Sequence, residues 1–221
     1  MPIHLQREIE NLKKKLLTLS ARVETAVRDA TLSIENRDYD LAQRIIQNDP
    51  RIDSMEVGIE EDCLKILALH QPVAIDLRFI VAVLKINNDL ERMGDLAVNI
   101  VERALSLMNE PLIKPLIDIP AMATRVQSMI RKSLDAFVKR DSELARTVLV
   151  SDDAVDELCG SVYEELIGFM ERDPKTVRQG INLMFVARNL ERLADHATNI
   201  AEDVLFLVEG VDVRHHAETR E

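Results

Sequence analysis

Two stretches decide the fold: "NDLERMGDLAVNIVE" over residues 88–102 and "RNLERLADHATNIAE" over residues 188–202. On a helix advancing about 100° per residue, Asp95, Asn99 and Glu102 fall within about 80° of Glu91, while Met93, Ala97 and Ile100 lie on the far side. Glu191, Asp195, Asn199 and Glu202 repeat those angles in the second stretch, opposite Leu193, Ala197 and Ile200. One amphipathic helix with an acidic stripe on its polar face is thus written twice.

Outward from these stretches the chain is helical in pattern. Its 221 residues hold only 6 glycines and 7 prolines, apolar residues recur at three and four positions, and β-like alternation is absent, so the fold class is all-α. The spacing predicts a long helix over about 3–36, a short helical segment at "YDLAQRIIQ" (39–47), and a helix following Asp49-Pro50. A turn near Pro72 and a helix to about Met108 complete the first unit. "NEPLIKPLIDIPA" then places three prolines in succession, which fix φ and remove backbone donors and so read as a linker.

After the linker the pattern restarts: "NRDYDLA" (36–42) is answered by "KRDSELA" (139–145), and "NDPRID" (48–53) by "SDDAVD" (151–156). The organisation expected is a first three-helix repeat over 1–109, a proline-rich linker over 110–120, a second repeat over 121–210 and a tail over 211–221. Together these make two sequence-related three-helix bundles packed side by side.

Composition excludes several classes of partner. With 39 acidic against 28 basic side chains, a formal charge of -11 and few aromatics, the chain is a poor match for nucleic acid, whose affinity comes from clustered Lys and Arg. Apolar runs such as "FIVAVL" fall short of the roughly 20 residues that a bilayer span needs. The opening "MPIHLQREIE" has no signal-peptide pattern, so a cytoplasmic location without membrane insertion is expected. Cys63 and Cys159 stand alone, as expected of ordinary helix residues in a reducing compartment.

The acidic stripe becomes a candidate site when the preceding helix is added. A lone Glu-x-x-x-Asp is what any solvated helix face carries. Asp49 and Asp53, however, form a second acidic pair four residues apart, with Glu56 and Glu60 on the same stripe, and Asp152 and Asp156 repeat the pair. In an antiparallel hairpin turning at Pro72, Asp49 comes level with Asp95 and Asp53 with Glu91. A hairpin turning between Asp173 and Pro174 likewise sets Asp152 against Asp195 and Asp156 against Glu191. Each hairpin can then present four carboxylates in a square. Like charges at i,i+4 cost roughly 0.2–0.5 kcal/mol per pair, so a cation is the natural occupant. Clustered carboxylates are hard oxygen donors suited to Mg²⁺, Mn²⁺, Ca²⁺ or iron, and several can bridge more than one ion.

Arg92 and Arg192 sit one residue beyond each Glu, off the stripe, and could neutralise it instead. Asp49 and Asp152 carry a further reading as helix N-caps, Asp49 before a proline at the first helical position. His196 points about 100° from Asp195, and its first-unit counterpart is Leu96, so it reads as structural or surface. No Glu-x-x-His occurs, which counts against a ferritin-like di-iron bundle.

The doubled helix-turn-helix plan, "LERMGDLAVNIVE", "LERLADHATNIAEDVLFLVEG" and the tail "VDVRH" resemble the PhoU family of bacterial phosphate-signalling proteins over essentially the whole chain. The resemblance implies six helices in two three-helix bundles and a cytoplasmic, homodimeric protein that reaches the inner face of the membrane through partners. It implies metal ions or multinuclear clusters, iron first, with zinc, manganese or magnesium as alternatives. These would be held by the E(D)-x-x-x-D motifs at Asp49/Asp53, Glu91/Asp95, Asp152/Asp156 and Glu191/Asp195, with Glu56, Glu60, Asn99, Glu102, Asn199 and Glu202 as further ligands. It also implies a negative regulator of the phosphate-starvation response and of phosphate uptake. Such a protein acts between the phosphate-specific ABC transporter and its sensor histidine kinase.

The second unit departs from the first where Glu56 and Glu60 become Cys159 and Tyr163 and Gly94 becomes Ala194, so the two sites are expected to differ in nuclearity or affinity. No nucleophile-base pair and no phosphate-cradling glycine loop points to an enzyme. Two readings stay open beside the regulator. One is an all-α metal-dependent nucleotide pyrophosphohydrolase, to whose sites "EED" at Glu60–Asp62 is similar. The other is a metal-free acidic adaptor whose squares receive Lys and Arg from a partner.

Overall fold

The computed structural model describes residues 3–108, 110, 113, 118–211 and 213. The helices are α1 (Ile3–Asn36), α2 (Tyr39–His70), α3 (Ala74–Leu107), α4 (Asp118–Lys139), α5 (Ser142–Ser151), α6 (Asp153–Arg172) and α7 (Val177–Glu209), with a 3-10 turn at Pro174–Thr176. No strand occurs among the described residues. Most of the tail expected over 211–221 and most of the linker lie outside them. Asp118–Pro120, expected in the linker, form the first turn of α4, a place where proline costs little because the first helical N–H groups have no intrahelical partner.

The repeated "RD" dipeptides have a local cause. Arg37 and Arg140 adopt left-handed backbone at φ 53 and φ 52, each closing a helix, and the next residue opens another. Asp38 accepts from the Leu41 N–H and Asp141 from the Leu144 N–H, the N-cap contact worth about 1 kcal/mol. Arg37 also donates to the carbonyls of Leu107, Met108 and Glu110, satisfying the end of α3 with a cation where the helix dipole favours one.

Two expectations fail at Pro50. α2 runs unbroken through it, so residues 39–47 are not a separate short helix and Asp49 is a helix interior residue rather than an N-cap. Pro50 is exposed, so the carbonyl that loses its donor can turn to water, while Ile45 and Ile52 on either side stay buried in the core. The break comes in the other copy, which lacks the proline: α5 ends at Ser151 and α6 begins at Asp153. Asp152 remains helical in backbone (φ -67, ψ -49) and makes no side-chain cap bond. The expected N-cap role fails there too. The remaining joints fall as expected, at Gln71–Val73 and at Asp173, which accepts from the Lys175 N–H.

α1, α2 and α3 form one bundle, and α4, α5–α6 and α7 the other, with α3 and α7 packed antiparallel between them. Counted in opposite directions from Gly94 and Ala194, the register brings Asp89 to Asn199, Lys85 to Asp203, Arg103 to Phe185 and Arg78 to Gly210. The repeats therefore meet about an approximate two-fold. The Lys85–Asp203 ion pair at 3.1 Å has as its counterpart the Arg103 guanidinium 4.9 Å from the Phe185 ring centroid. Arg78 against Gly210 is answered by Arg178 near Glu110. Met93, Ala97 and Ile100, with Leu193, Ala197 and Ile200, are buried in one continuous core, as the stripe pattern requires.

Close packing of α2 on α3 turns on Gly94. A Cβ there would lie 3.2 and 3.3 Å from two methyl carbons of Ile52. The second copy carries Ala194 with Val155 at the matching positions, both fully buried, so one methylene has moved from one helix to the other at constant volume. Gly94→Ala alone should overpack the contact and cost about 1 kcal/mol net of the gain in helix propensity. Adding Ile52→Val should recover that loss. A double-mutant cycle by urea denaturation checks this, and simple additivity of the two substitutions would rule out the exchange.

Candidate carboxylate sites

The two hairpins position their carboxylates as the register predicts. In the first, α2 supplies Asp49, Asp53, Glu56 and Glu60, and α3 supplies Glu91 and Asp95. Because Gly94 lets the helices approach, Asp49 Oδ1 comes within 3.5 Å of where a Cβ on residue 94 would be. Burial raises the Asp49 carboxyl above its ordinary pKa, and the charges of Asp53 and Asp95 raise it further. Burial likewise raises Glu91, with Asp95 adding to the shift, Arg92 opposing it, and Asp53 and Glu56 contributing from α2. Glu56 is raised by burial and then by Glu60 and Asp53, against Arg92.

In the second hairpin burial pushes Asp152 up to about 6, helped by Asp156, Asp195, Asp153 and Glu191. Glu191 and Asp195 are raised by burial and then by their neighbours, Asp195 and Asp156 for the first and Asp156 for the second. The mutual repulsion within each of these sets is the electrostatic signature of the expected squares.

Other expected ligands fall elsewhere. Asn99 and Glu102 are exposed further along α3, and Asn199 donates to Asp89 at 3.3 Å in the α3–α7 seam. Glu202 lies half-buried three turns beyond Glu191 on α7. His196 is structural, its Nδ1 2.8 Å from the buried Asp89. Asp62 of the "EED" run is tied to Lys15 at 2.5 Å, away from the carboxylate cluster, which removes one acid from the hydrolase-like set. Arg92, which stands beside the stripe and could neutralise it, reaches back to Glu91 at 3.4 Å and Asp95 at 3.3 Å. A long flexible side chain needs little to turn 100° toward two like charges.

Two further groups complete the picture. Asn87, one turn before Glu91 and 1% exposed, donates to the Glu56 carbonyl and carboxylate, while its Oδ1 has no partner. Its place four residues before Glu91 on the acidic stripe is the signal by which the sequence marks it. In the second unit Cys159 hydrogen-bonds Tyr163, whose phenol burial pushes up to about 12. Cys63 is pushed up to about 12, chiefly by burial, so neither Tyr163 nor Cys63 offers an anion at neutral pH.

As donors, these groups suit a hard cation. They are carboxylate oxygens held partly out of water at a charge density that raises their own pKa values, and Asp152 Oδ1 is buried without a partner. Among the described residues, however, no three His, Cys, Asp or Glu side chains converge closely enough to enclose one ion. The donors fit a hard cation in kind, and their side chains do not close on a common point.

The raised Asp152 pKa has a sign. Its folded value of about 6 lies above the ordinary aspartate value of 3.8, so the associated stability is present below pH 3.8 and is lost as pH rises through 6. In chelator-treated protein, Asp152→Asn should raise Tm at pH 7.5 by about 3 °C. That corresponds to about 1 kcal/mol after discounting for solvent screening. The gain should vanish towards pH 4, and thermal melts across this range would read it.

Comparison with known proteins places this geometry. The PhoU domain model matches the chain twice, over residues 16–104 and 119–204. A "Phosphate-specific transport system accessory protein PhoU homolog" of Aquifex aeolicus is 41% identical over 211 residues, covering 96% of each chain. The accessory protein PhoU of Escherichia coli is 33% identical, covering 94% of this chain and 86% of its own. The crystal structure of PhoU from Pseudomonas aeruginosa superposes with a TM-score of 0.91 at 37% identity, covering 93% of this chain and 99% of that one. With both repeats matched by the family model and whole-chain likeness in sequence and fold, this protein belongs to the PhoU family.

Proposed function

We propose that this protein is a metal-binding regulator of a phosphate-specific transport system. It restrains phosphate uptake and the phosphate-starvation response by linking the ABC transporter to its sensor histidine kinase, as a homodimer at the cytoplasmic face of the membrane. The relatives named as accessory proteins of such a system support the setting. The observation that carries the metal part is the pair of carboxylate clusters, each built from two helices and each raised in pKa by burial and then by the charges of its own members. No helix among the described residues is long and apolar enough to cross a membrane, so contact with a transporter falls to the protein's surface.

Asp49, Asp53, Glu91 and Asp95 would hold cations in the first unit, with Glu56, Glu60 and Asn87 beside them. Asp152, Asp156, Glu191 and Asp195 would do so in the second. A bound cation supplies positive charge that reverses the local field and removes the repulsion between the helices. The chain's part is to hold the oxygens on a rigid hairpin with the apolar seam behind them. Fewer oxygens in the second unit make it the weaker or smaller site.

Metal analysis after anaerobic purification tests this against Asp95→Asn plus Asp195→Asn, which keeps shape and removes charge. The natural chain should hold more than one metal per protomer and the variant should lose most of it. Saturating metal should raise Tm of the natural chain by about 5–10 °C and leave the variant unmoved. Absence of metal from both forms after reconstitution with iron, manganese, zinc and magnesium would remove the reading. Deletion of the gene should derepress phosphate-responsive transcription, and unchanged transcription would count against the regulatory role.

The pairing of Arg92 with Glu91 and Asp95 favours one other reading, in which a partner's Lys and Arg occupy the clusters. Partner binding would then fall steeply with salt and ignore chelators.

A further inference from the structure

A groove of about 590 Å³ runs between α1 and α2 and ends at Asp49 and Gly94, beside the first carboxylate cluster. Arg22, Arg44 and Arg51 line it. On the same two helices Lys15 and Lys65 are matched to Asp62 and Glu8. The three groove arginines have no ion pair among the described residues. Two aspartates share the groove, yet neither takes them: Asp29 is engaged by Arg28 at 2.9 Å, and Asp49 belongs to the carboxylate cluster.

The arrangement follows from helix period. Arg44 and Arg51 are two turns apart on one face of α2. The α1–α2 contacts Lys15–Asp62 and Glu8–Lys65 set an antiparallel register on which Arg22 stands level with Arg51 to within a turn. Arg22 and Arg51 thus line the groove from opposite sides, one from each helix. Other donors at the rim are spent on their own helices: the Thr18 and Thr25 hydroxyls bond to Lys14 and Ala21 carbonyls, and Asn48 to that of Arg44.

The second unit lacks this feature. Arg22 has its counterpart in Arg125, but Thr147 and Ala154 stand where the first unit has Arg44 and Arg51. The cationic groove is therefore not a by-product of the repeat.

We propose that this groove binds a phosphate ester of about mononucleotide size. Guanidiniums match phosphate oxygens in a bidentate fork. The volume lies in the range of small-molecule sites, about 300–1,000 Å³, more than a bare phosphate fills, and Ala26, Ile45 and Ile52 provide apolar wall for an organic group. The site stands on its own arginines and does not depend on metal in the neighbouring cluster.

Isothermal titration at low salt on chelator-treated protein tests it, with inorganic phosphate, ribose 5-phosphate, AMP and ATP as probes. An organic phosphate should bind saturably and more tightly than inorganic phosphate. Arg22→Gln plus Arg51→Gln should weaken that binding at least 10-fold, and Arg125→Gln should leave it unchanged. All three arginines are exposed, so the variants should melt as the natural chain does. A natural chain that binds none of the four probes would overturn the proposal, as would binding indifferent to the double substitution. Inorganic phosphate as the tightest probe would overturn the ligand class.

Discussion

The antiparallel seam between α3 and α7 is the contact on which the rest depends. Its middle lies at the height where Gly94 comes level with Ala194, although Gly94 itself opens towards Ile52 of α2. From there the seam runs outward through buried apolar side chains to polar pairs, Asp89 with His196 and Asn199, and Lys85 with Asp203. Buried pairs of this kind add little net stability, because desolvation offsets their attraction, but they penalise any slipped register that would leave a charge unmatched. Because each repeat gives the same face to the seam, its acidic stripe is turned the other way, towards its own hairpin partner. One packing choice thus creates two carboxylate clusters.

Those clusters are held against their own repulsion. Every resolved carboxyl shift within them is upward, with burial the leading cause and like charge the next. The core behind them, continuous through both units, is what keeps the helices together at that charge density. A protein selected for stability alone would not place six acids along one hairpin. Arg92 partly offsets that repulsion in the first unit.

Much of this was legible in the sequence. The joints at residues 37–38, 71–73 and 173 are marked by capping or proline chemistry, and the paired acids follow from counting across each turn. The errors have a common source. Pro50 and Asp152 were read by local propensity, which puts a break at the proline; the core residues Ile45 and Ile52 carry the helix across it, and the break appears in the copy with no proline. Asn87 was missed because its contact is with Glu56 on the neighbouring helix, which no spacing along α3 reveals.

The sequence by itself determined the helical class, the doubling, the hairpin turns and the identity of the carboxylates that face one another, because these depend on periodicity and on position along a single hairpin. Only the tertiary structure decided which faces of α3 and α7 meet, that His196 and Asn199 serve Asp89 rather than the acidic stripe, and that three arginines from two helices share one groove. Such facts join residues distant in the chain, and helix period, which fixes only the angle of a side chain about its own axis, carries no information about them.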